Sequence, residues 1–410
     1  MPRKSILGLH RSAMAAFGIS AASLAWAAPS VLTTLYATAP TGGLQLNAAG
    51  ELFGTEREGI GGNIFKLAPP APGQAAWTSS VIYTFTGNGI GSTDGESPSA
   101  LLIDEGGNIF GTTLVGGAAA SGTLFQLNPP VGSGSAWHDT ILYQFGGRGV
   151  GDGENPSGAL LPTADGGWIG TTQYGGAWNA GMVYKIAYSD GAWTTTALYS
   201  FNGRREGSKP EAGVISDAAG NLYGTTVEGA RGSGTVFRLT PPVEPTDGWT
   251  LTTLYTFTGG ADGGRSSGKL VLDRDGALLG TAEFGGNKLR GVIFKLSPGH
   301  RPGAPWTETV IHAFAGGSDG GKPRAGLLSD GRGGYYGSAS GGGIGGRGTV
   351  FQLTPPVAAG GDWTLKTLHY FRGGTDGIGP FGDLLLRDGK LYGITQGSQL
   401  GSGTVFMLEP

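Results

Sequence analysis

The sequence repeats one motif seven times, and this repetition limits the folds that the chain can adopt. The first marker is a glycine before two small residues, clearest as Gly111-Thr112-Thr113, which recurs every 54 to 59 residues. It stands at Gly54, Gly111, Gly170, Gly224, Gly280, Gly337 and Gly393. An aromatic residue in a Gly-Thr-Val-Phe-like segment follows at Phe65, Phe125, Tyr184, Phe237, Phe294, Phe351 and Phe406. Periods of this length indicate a repeat architecture.

Each repeat reads as four short β-strands, which we call A, B, C and D. In one repeat the strand-like segments are 325–330, 335–339, 349–353 and 363–371, with glycine-rich turns between them. Strand D begins at a tryptophan that recurs at Trp77, Trp137, Trp193, Trp249, Trp306 and Trp363. Pro355 and Pro356 end strand C, because proline cannot donate to a β-ladder. Four strands per repeat with turns between them are typical of a propeller blade.

The strand count predicts how the two ends of the chain are joined. Strands A, B and C occur seven times, but strand D follows strand C only six times. The seventh strand D is the segment 31–36, before any strand A, and the chain ends on a strand C at 404–408. An unfinished blade would expose an unpaired edge. We therefore expect an all-β fold, a seven-bladed β-propeller of four-stranded blades in which the N-terminal strand completes the last blade.

The combined motif resembles a known tandem repeat. Its order is Leu-Tyr-Gly-Thr-Thr, Gly-Gly, Gly-Thr-Val-Phe-x-Leu-Thr-Pro-Pro, Trp and Leu-Tyr-x-Phe-x-Gly, and it covers essentially residues 31–410. This is similar to the Gloeobacter/Verrucomicrobia (GloVer) tandem repeat of exported bacterial proteins and, more weakly, to kelch repeats. The resemblance implies an extracellular protein and no particular activity.

The first residues read as a secretory signal. Arg3, Lys4 and Arg11 accompany a small, apolar run that ends at a small-x-small cleavage site, Ala25-Trp26-Ala27. The alternative is a membrane anchor, but the run is short and rich in Ala and Ser. We expect a signal peptide at 1–27 and a secreted propeller at 28–410, periplasmic or extracellular. Its repeats lie near 31–77, 78–137, 138–193, 194–249, 250–306, 307–363 and 364–410.

Composition excludes several classes of function. Cleavage at residue 27 removes three of the 27 basic residues and none of the 30 acidic ones, which leaves a formal charge of −6. Such a chain lacks the basic surface of a nucleic-acid-binding protein. It contains no cysteine, so disulfides and thiol chemistry are excluded. We expect a monomer with no membrane span and no nucleic-acid partner.

Strand order sorts the loops onto two faces. The D–A and B–C loops share one face, which we call the upper face, and the A–B and C–D loops share the lower face. The D–A loops carry a series of Asp-Gly pairs at Asp94, Asp152, Asp262, Asp319 and Asp376. A ring of carboxylates could hold calcium, whereas simple Asp-Gly turns explain the same residues without a ligand. Calcium is the one candidate ion, and no other cofactor is expected.

Residues that break the repeat on the upper face are the candidate binding residues, because packing does not explain them. They are Tyr174, Trp178, Arg204, Arg205, Glu211, Glu228, Lys269, Glu283, Arg324 and Asp383. If strand A is innermost, these side chains surround the mouth of a central channel. Aromatic rings with mixed charges suit sugars, which stack on the rings and bond to Arg and Glu. The alternative is that loop tips vary because they are solvated.

Histidine positions argue against the common hydrolytic sites. The mature chain has His138, His300, His312 and His369, all expected on the rim or the lower face. A Ser-His-Asp site and a His-ligated metal are therefore not expected. We expect a non-catalytic propeller that binds a polysaccharide or protein on its upper face. The alternatives are a polysaccharide lyase or glycoside hydrolase, with Tyr174, Arg204, Arg205, Glu211 or Glu228 as candidate catalytic residues, and a purely structural surface protein.

Overall fold

The computed structural model describes most of the repeat region. The described residues are 30–87, 93–132, 135–148, 151–229, 232–244, 246–301, 303–358, 360–397 and 402–410. The predicted signal peptide at 1–27 lies outside them. The described residues form β-strands joined by turns, and no helix occurs among them. Within these ranges, then, no helix is long and apolar enough to cross a membrane.

The strands are short and follow one another at the spacing of the repeat. In chain order they are β1 (Val31–Thr38), β2 (Gln45–Leu46), β3 (Leu52–Glu56), β4 (Asn63–Ala68), β5 (Thr78–Thr84), β6 (Glu96–Ile103), β7 (Ile109–Val115), β8 (Thr123–Asn128), β9 (His138–Gln144), β10 (Gly153–Pro156), β11 (Leu161–Pro162), β12 (Trp168–Gly175), β13 (Met182–Ser189), β14 (Ala192–Ser200), β15 (Ile215–Ser216), β16 (Leu222–Thr226), β17 (Thr235–Thr240), β18 (Thr250–Thr256), β19 (Val271–Leu272), β20 (Leu278–Ala282), β21 (Val292–Ser297), β22 (Thr307–Ala313), β23 (Leu328–Ser329), β24 (Tyr335–Ala339), β25 (Thr349–Thr354), β26 (Thr364–Tyr370), β27 (Ile378–Arg387), β28 (Lys390–Gly397) and β29 (Gly403–Glu409).

The described strands form seven antiparallel sheets, and each sheet is one blade. Blades 1 to 6 are β2–β5, β6–β9, β10–β14, β15–β18, β19–β22 and β23–β26, and blade 7 is β27–β29 with β1. Each blade has strands A to D in order. In blade 3, strand A is split into β10 and β11, which both pair with β12. The seven-bladed β-propeller predicted from the repeat is thus confirmed.

The ring closes between the first and the last strand, as the strand count predicts. β1 pairs antiparallel with β29, with Val31 opposite Glu409 and Leu32 opposite Leu408. β1 is therefore strand D of blade 7, and β29 has a hydrogen-bonded neighbour on both sides. Closure in this way covers the edge that an unfinished blade would leave open.

Hydrophobic clusters lie between neighbouring blades, and the described residues form one at each of the seven junctions. At six junctions a fully buried phenylalanine after strand D packs against the strand C aromatic residue of the next blade, with ring centroids 5.1 to 5.6 Å apart. These pairs are Phe85–Phe125, Phe145–Tyr184, Phe201–Phe237, Phe257–Phe294, Phe314–Phe351 and Phe371–Phe406. At the closing junction Tyr36 packs against Phe65 at 5.4 Å. Aromatic packing of this kind stabilises the closed ring.

The recurring glycine and the recurring aromatic residue are two sides of one contact. Gly111 in strand B lies opposite Phe125 in strand C. A β-carbon at Gly111 would lie 2.4 Å from Cζ of Phe125, and one at Gly224 would lie 2.6 Å from Cζ of Phe237. Because close-packed interiors leave no room for an added methyl group, glycine is needed at this position to admit the ring.

Strand A is shorter than its sequence pattern indicates. In blade 6 the sequence predicts strand A over 325–330, whereas β23 contains only Leu328 and Ser329. The N–H of Gly326 donates to Oδ1 of Asp383 in blade 7 at 2.8 Å and not to a β-ladder. The residues that lead into strand A are consequently free to line the centre of the ring.

Candidate binding site at the channel mouth

A central channel with a volume of about 790 Å³ is lined by residues of all seven blades. Most of the wall is formed by the segments that lead into strand A, and Leu114, Gln173 and Gln396 extend it towards the upper face. Hydroxyl groups tie neighbouring segments together. These bonds are Thr41 Oγ1 to Pro98 O (3.0 Å), Ser99 Oγ to Pro156 O (3.2 Å), Ser157 Oγ to Glu211 O (3.1 Å) and Ser267 Oγ to Arg324 O (3.3 Å).

Glu211 lies on the wall of this channel, as the sequence predicts. Burial raises the pKa of its carboxyl, while the positive charges of Arg265 and Lys209 act in the opposite direction. The negative charge of Glu283 raises this pKa further. A carboxyl with a raised pKa can hold a proton and donate a hydrogen bond, so Glu211 is a polar group that a ligand in the channel could use.

Lys269 and Asp383 also line the channel. Asp383 is an exposed residue of the wall, but protein atoms surround its carboxyl, and desolvation raises the pKa of this group. The hydrogen bond from Gly326 and the charge of Lys269 act against this shift. Asp383 thus has a structural bond to blade 6 in addition to its place on the wall.

Arg324 and Glu283 form an ion pair across the junction of blades 5 and 6. Nε and Nη2 of Arg324 donate to Oε1 of Glu283 at 2.9 and 2.6 Å. Glu283 is 4% exposed, whereas the Arg324 side chain is 44% exposed and lines the channel. A guanidinium has five N–H donors, so Arg324 keeps donors for a ligand while its pair with Glu283 fixes its position.

Tyr174, at the upper end of β12, lies beside two cations. Cζ of Arg148 is 5.5 Å and Nζ of Lys209 is 5.4 Å from the centre of the ring, which are cation–π distances. Both cations also pair with carboxylates: Arg148 Nε donates to Glu154 at 2.7 Å and Lys209 Nζ to Glu228 at 2.7 Å. The structure therefore brings two predicted residues, Tyr174 and Glu228, into one charged cluster on blades 3 and 4.

The other three predicted residues lie on exposed loop tips of the upper face. Trp178 is 69% exposed in the loop that follows β12, the strand that carries Tyr174. Arg204 and Arg205 are exposed in the loop after β14. None of the three belongs to the channel wall. Trp178 is close in sequence to Tyr174.

Sequence reasoning missed three cations of this region, Arg148, Lys209 and Arg265. Lys209 and Arg265 occupy one position of the D–A turn, with φ of 57° and 55°. Two earlier repeats have small polar residues in this left-handed position, Ser97 and Asn155. A long cation where the repeat has a small residue is the signal that would have identified them.

The five loop aspartates each fix the end of a strand D. Oδ2 of Asp152 accepts hydrogen bonds from Tyr143 Oη at 2.9 Å and from Gly146 N at 2.7 Å. The equivalent bonds occur at Asp94, Asp262, Asp319 and Asp376. In the last two, His312 and His369 replace the tyrosine, and burial lowers the pKa of both rings. Within the described ranges no three His, Asp or Glu side chains are grouped so that they could hold a metal ion.

Comparison with known proteins identifies the family. The profile of the Gloeobacter/Verrucomicrobia repeat matches residues 29–226, 133–331 and 234–410. No curated protein sequence matches the chain. Among solved structures, virginiamycin B lyase from Staphylococcus aureus is 13% identical, with a TM-score of 0.56 over 93% of this chain and 99% of that chain. The PQQ-bound aldose sugar dehydrogenase from Streptomyces coelicolor is 13% identical, with the same coverage and a TM-score of 0.44.

At such low identity, the likeness to the staphylococcal protein concerns the fold alone. The three overlapping matches of the repeat profile, in contrast, span the chain from the first strand of the ring to its last. The chain therefore belongs to the Gloeobacter/Verrucomicrobia repeat family.

Proposed function

We propose that the protein is an exported, non-catalytic propeller that binds a polysaccharide at the channel mouth on its upper face. The observation that carries this proposal is the cluster of Tyr174, Arg148 and Lys209, together with the exposed Trp178 a few residues further along the same chain segment. Tyrosine and tryptophan offer an apolar face and a polar edge, which suits the C–H face and the hydroxyl groups of a sugar.

The ion pairs at the mouth support a binding role. Glu228 pairs with Lys209, and Glu283 pairs with Arg324, so charged groups are held in place before any ligand arrives. A site whose side chains are already ordered loses less conformational entropy on binding. The channel wall is formed by residues of all seven blades, so a sugar chain could contact several blades at once.

The test is to measure binding of neutral and acidic oligosaccharides by calorimetry. Tyr174→Ala and Trp178→Ala should each weaken binding about tenfold, because Tyr and Trp are enriched among the few interface residues whose truncation costs more than about 1 kcal/mol. Tyr188→Ala is the matched control, since Tyr188 is 61% exposed at the lower end of β13. Unchanged binding in both upper-face variants would contradict the proposed site, and binding of proteins but no saccharide would identify a protein ligand.

A polysaccharide lyase or glycoside hydrolase is the second candidate, and one observation favours it. Burial raises the pKa of Glu211, which lies in the channel near the cations Arg265 and Lys209. A raised pKa makes a carboxyl a better general acid than one with the usual value. Incubation with the same saccharides, followed by an assay of new reducing or unsaturated ends, decides between the two. Product that disappears in Glu211→Gln would establish the enzyme and reject the binding-only proposal.

A further inference from the structure

A second hollow opens on the upper face beside the channel, between blades 5, 6 and 7. It has a volume of about 330 Å³, near the lower end of the sizes of small-molecule sites, roughly 300–1,000 Å³. Three cations line it, Arg290, Lys322 and Arg324, together with Ser340, Gln396 and several glycines. No acidic residue is part of this lining in the described chain. Arg324 and Gln396 also line the channel, so the two spaces adjoin.

The backbone holds two of these cations side by side. The N–H of Lys322 donates to the carbonyl oxygen of Arg290 at 2.7 Å. The Arg290 stem lies along two glycines, since a β-carbon at Gly316 would be 3.1 Å from its Nε and one at Gly321 would be 3.3 Å from its Cβ. Neither Arg290 nor Lys322 makes an ion pair with any residue that the structure describes. Two positive charges therefore line the hollow without a carboxylate of the described protein to neutralise them.

Comparison of three successive blades shows that this lack of a partner is local. The turn cation before strand A is Lys209, Arg265 and Lys322 in turn, each with positive φ. The residue before each cation forms a β-bridge with a residue at or just after the end of strand B. These bridge partners are, in the same order, Glu228, Phe284 and Gly341.

The three facing residues have different effects on their cations. Glu228 neutralises Lys209 at 2.7 Å, and the Phe284 ring lies 5.6 Å from Cζ of Arg265. Gly341 offers no side chain, and the stem of Lys322 passes above it. Glycine at this place both opens the hollow and leaves the ammonium of Lys322 without a carboxylate.

The left-handed turn adds a second argument. Lys322 has φ of 56°, a conformation in which a long L-residue is strained relative to glycine or asparagine. The same φ recurs at this turn position in other repeats, so the fold enforces it whichever residue stands there. A lysine here is unfavourable for the turn itself, so its charge is the feature that needs an explanation.

We propose that this hollow binds one anionic group, a carboxylate or a sulfate ester, of an acidic polysaccharide whose neighbouring sugars lie at the channel mouth. This inference rests on the proposed function and names the substrate class of the same site. The planar guanidinium groups can bond two oxygens of such an anion at once, and the ammonium of Lys322 supplies a further charge. Because Arg324 lines both spaces, a bound chain can run from the hollow to the channel without a gap.

The experiment compares three oligosaccharides with one backbone, which carry no charge, a carboxylate or a sulfate ester. The wild-type protein should bind one of the charged forms at least tenfold more tightly than the neutral form, and the preferred form identifies the anion. In the double variant Arg290→Ala/Lys322→Ala this preference should disappear while affinity for the neutral form stays the same. The matched control is Arg332→Ala/Lys366→Ala, which removes the same charge from exposed residues of blade 6 outside the hollow.

The possible results separate the anion site from the proposed polysaccharide function. Equal binding of charged and neutral forms, or a preference that survives in the double variant, would overturn the anion site and leave the proposed polysaccharide function standing. Loss of the preference in the control variant as well would show that net charge, not the hollow, is responsible. If no form binds to the wild-type protein, the proposed function fails, and this inference fails with it.

Discussion

Replacing Tyr184 with phenylalanine should stabilise the protein. Tyr184 is the strand C aromatic residue of blade 3, where the six other repeats have phenylalanine. Its side chain is fully buried, and its hydroxyl oxygen has no hydrogen-bond partner among the residues that the structure describes. The ring packs at 5.2 Å from that of Phe145 and lies over Gly170, so the hydroxyl is enclosed by apolar groups and backbone. Burial of an unpaired hydroxyl costs about 1–3 kcal/mol.

The void that Tyr184→Phe leaves in the core costs little stability. Removal of one hydroxyl leaves a void of roughly 10 Å³, which at about 24 cal/mol per Å³ costs about 0.2 kcal/mol. The net gain expected for Tyr184→Phe is therefore about 1–2.5 kcal/mol in the free energy of unfolding. The reverse change at the equivalent position, Phe237→Tyr, should destabilise by a similar amount.

Urea unfolding followed by tryptophan fluorescence measures both changes, and Trp168 and Trp193 report from the cluster that contains Tyr184. The unfolding midpoint should rise in Tyr184→Phe and fall in Phe237→Tyr, with the slope m unchanged, so that the shift reports stability alone. A Tyr184→Phe variant no more stable than the wild type would show that the hydroxyl has a partner, such as a buried water, and would refute the reasoning.

Three further predictions follow from the packing and the charges. Gly224→Ala places a β-carbon 2.6 Å from Phe237 and should cost about 1–3 kcal/mol in urea unfolding, whereas Gly248→Ala, with open space around it, should change little; equal effects would contradict the contact. Burial raises the pKa of Glu308 from its usual 4.5 to about 7. The folded state therefore keeps a proton that the unfolded state releases, and stability should fall by about 1–2 kcal/mol, allowing for partial exposure, as pH rises from 4.5 to 7. Glu308→Gln should reduce this slope in melting curves across that range, and an unchanged slope would assign it to other groups. A chelator should leave the melting midpoint unchanged, because the loop aspartates already accept hydrogen bonds from the protein, and a midpoint that rises with added calcium would show that the loops bind the ion.

The fold could be predicted from sequence because each marker has one packing role. The glycine of strand B and the aromatic residue of strand C meet across a single pair of strands, so their fixed spacing carries the blade geometry. Ring closure was predictable for the same reason, since β1 carries a strand D pattern and β29 a strand C pattern. The length of strand A could not be predicted, because the N–H of Gly326 donates to Asp383, a residue 57 positions away in the sequence.

The candidate site was predictable only in part. The departures from the repeat pointed to Tyr174, Glu228, Glu211 and Arg324, which the structure places in two charged groups on the upper face. Lys209 was missed, although it touches both Tyr174 and Glu228, because its role depends on how the side chains of two different loops point towards one another. Sequence spacing fixes which loops are neighbours, but it does not fix these directions.

The pairing of β1 with β29 places the first and the last strand of the ring next to each other. Strand D starts and strand C stops at the same side of a blade, so Val31 and Glu409 are neighbours on the lower face. A tag or a linker joined directly before Val31 or directly after Glu409 would therefore leave the ring from the lower face, on the side opposite to the channel mouth. A sensor chip loaded through such a tag would present the proposed binding face to the solution without further engineering.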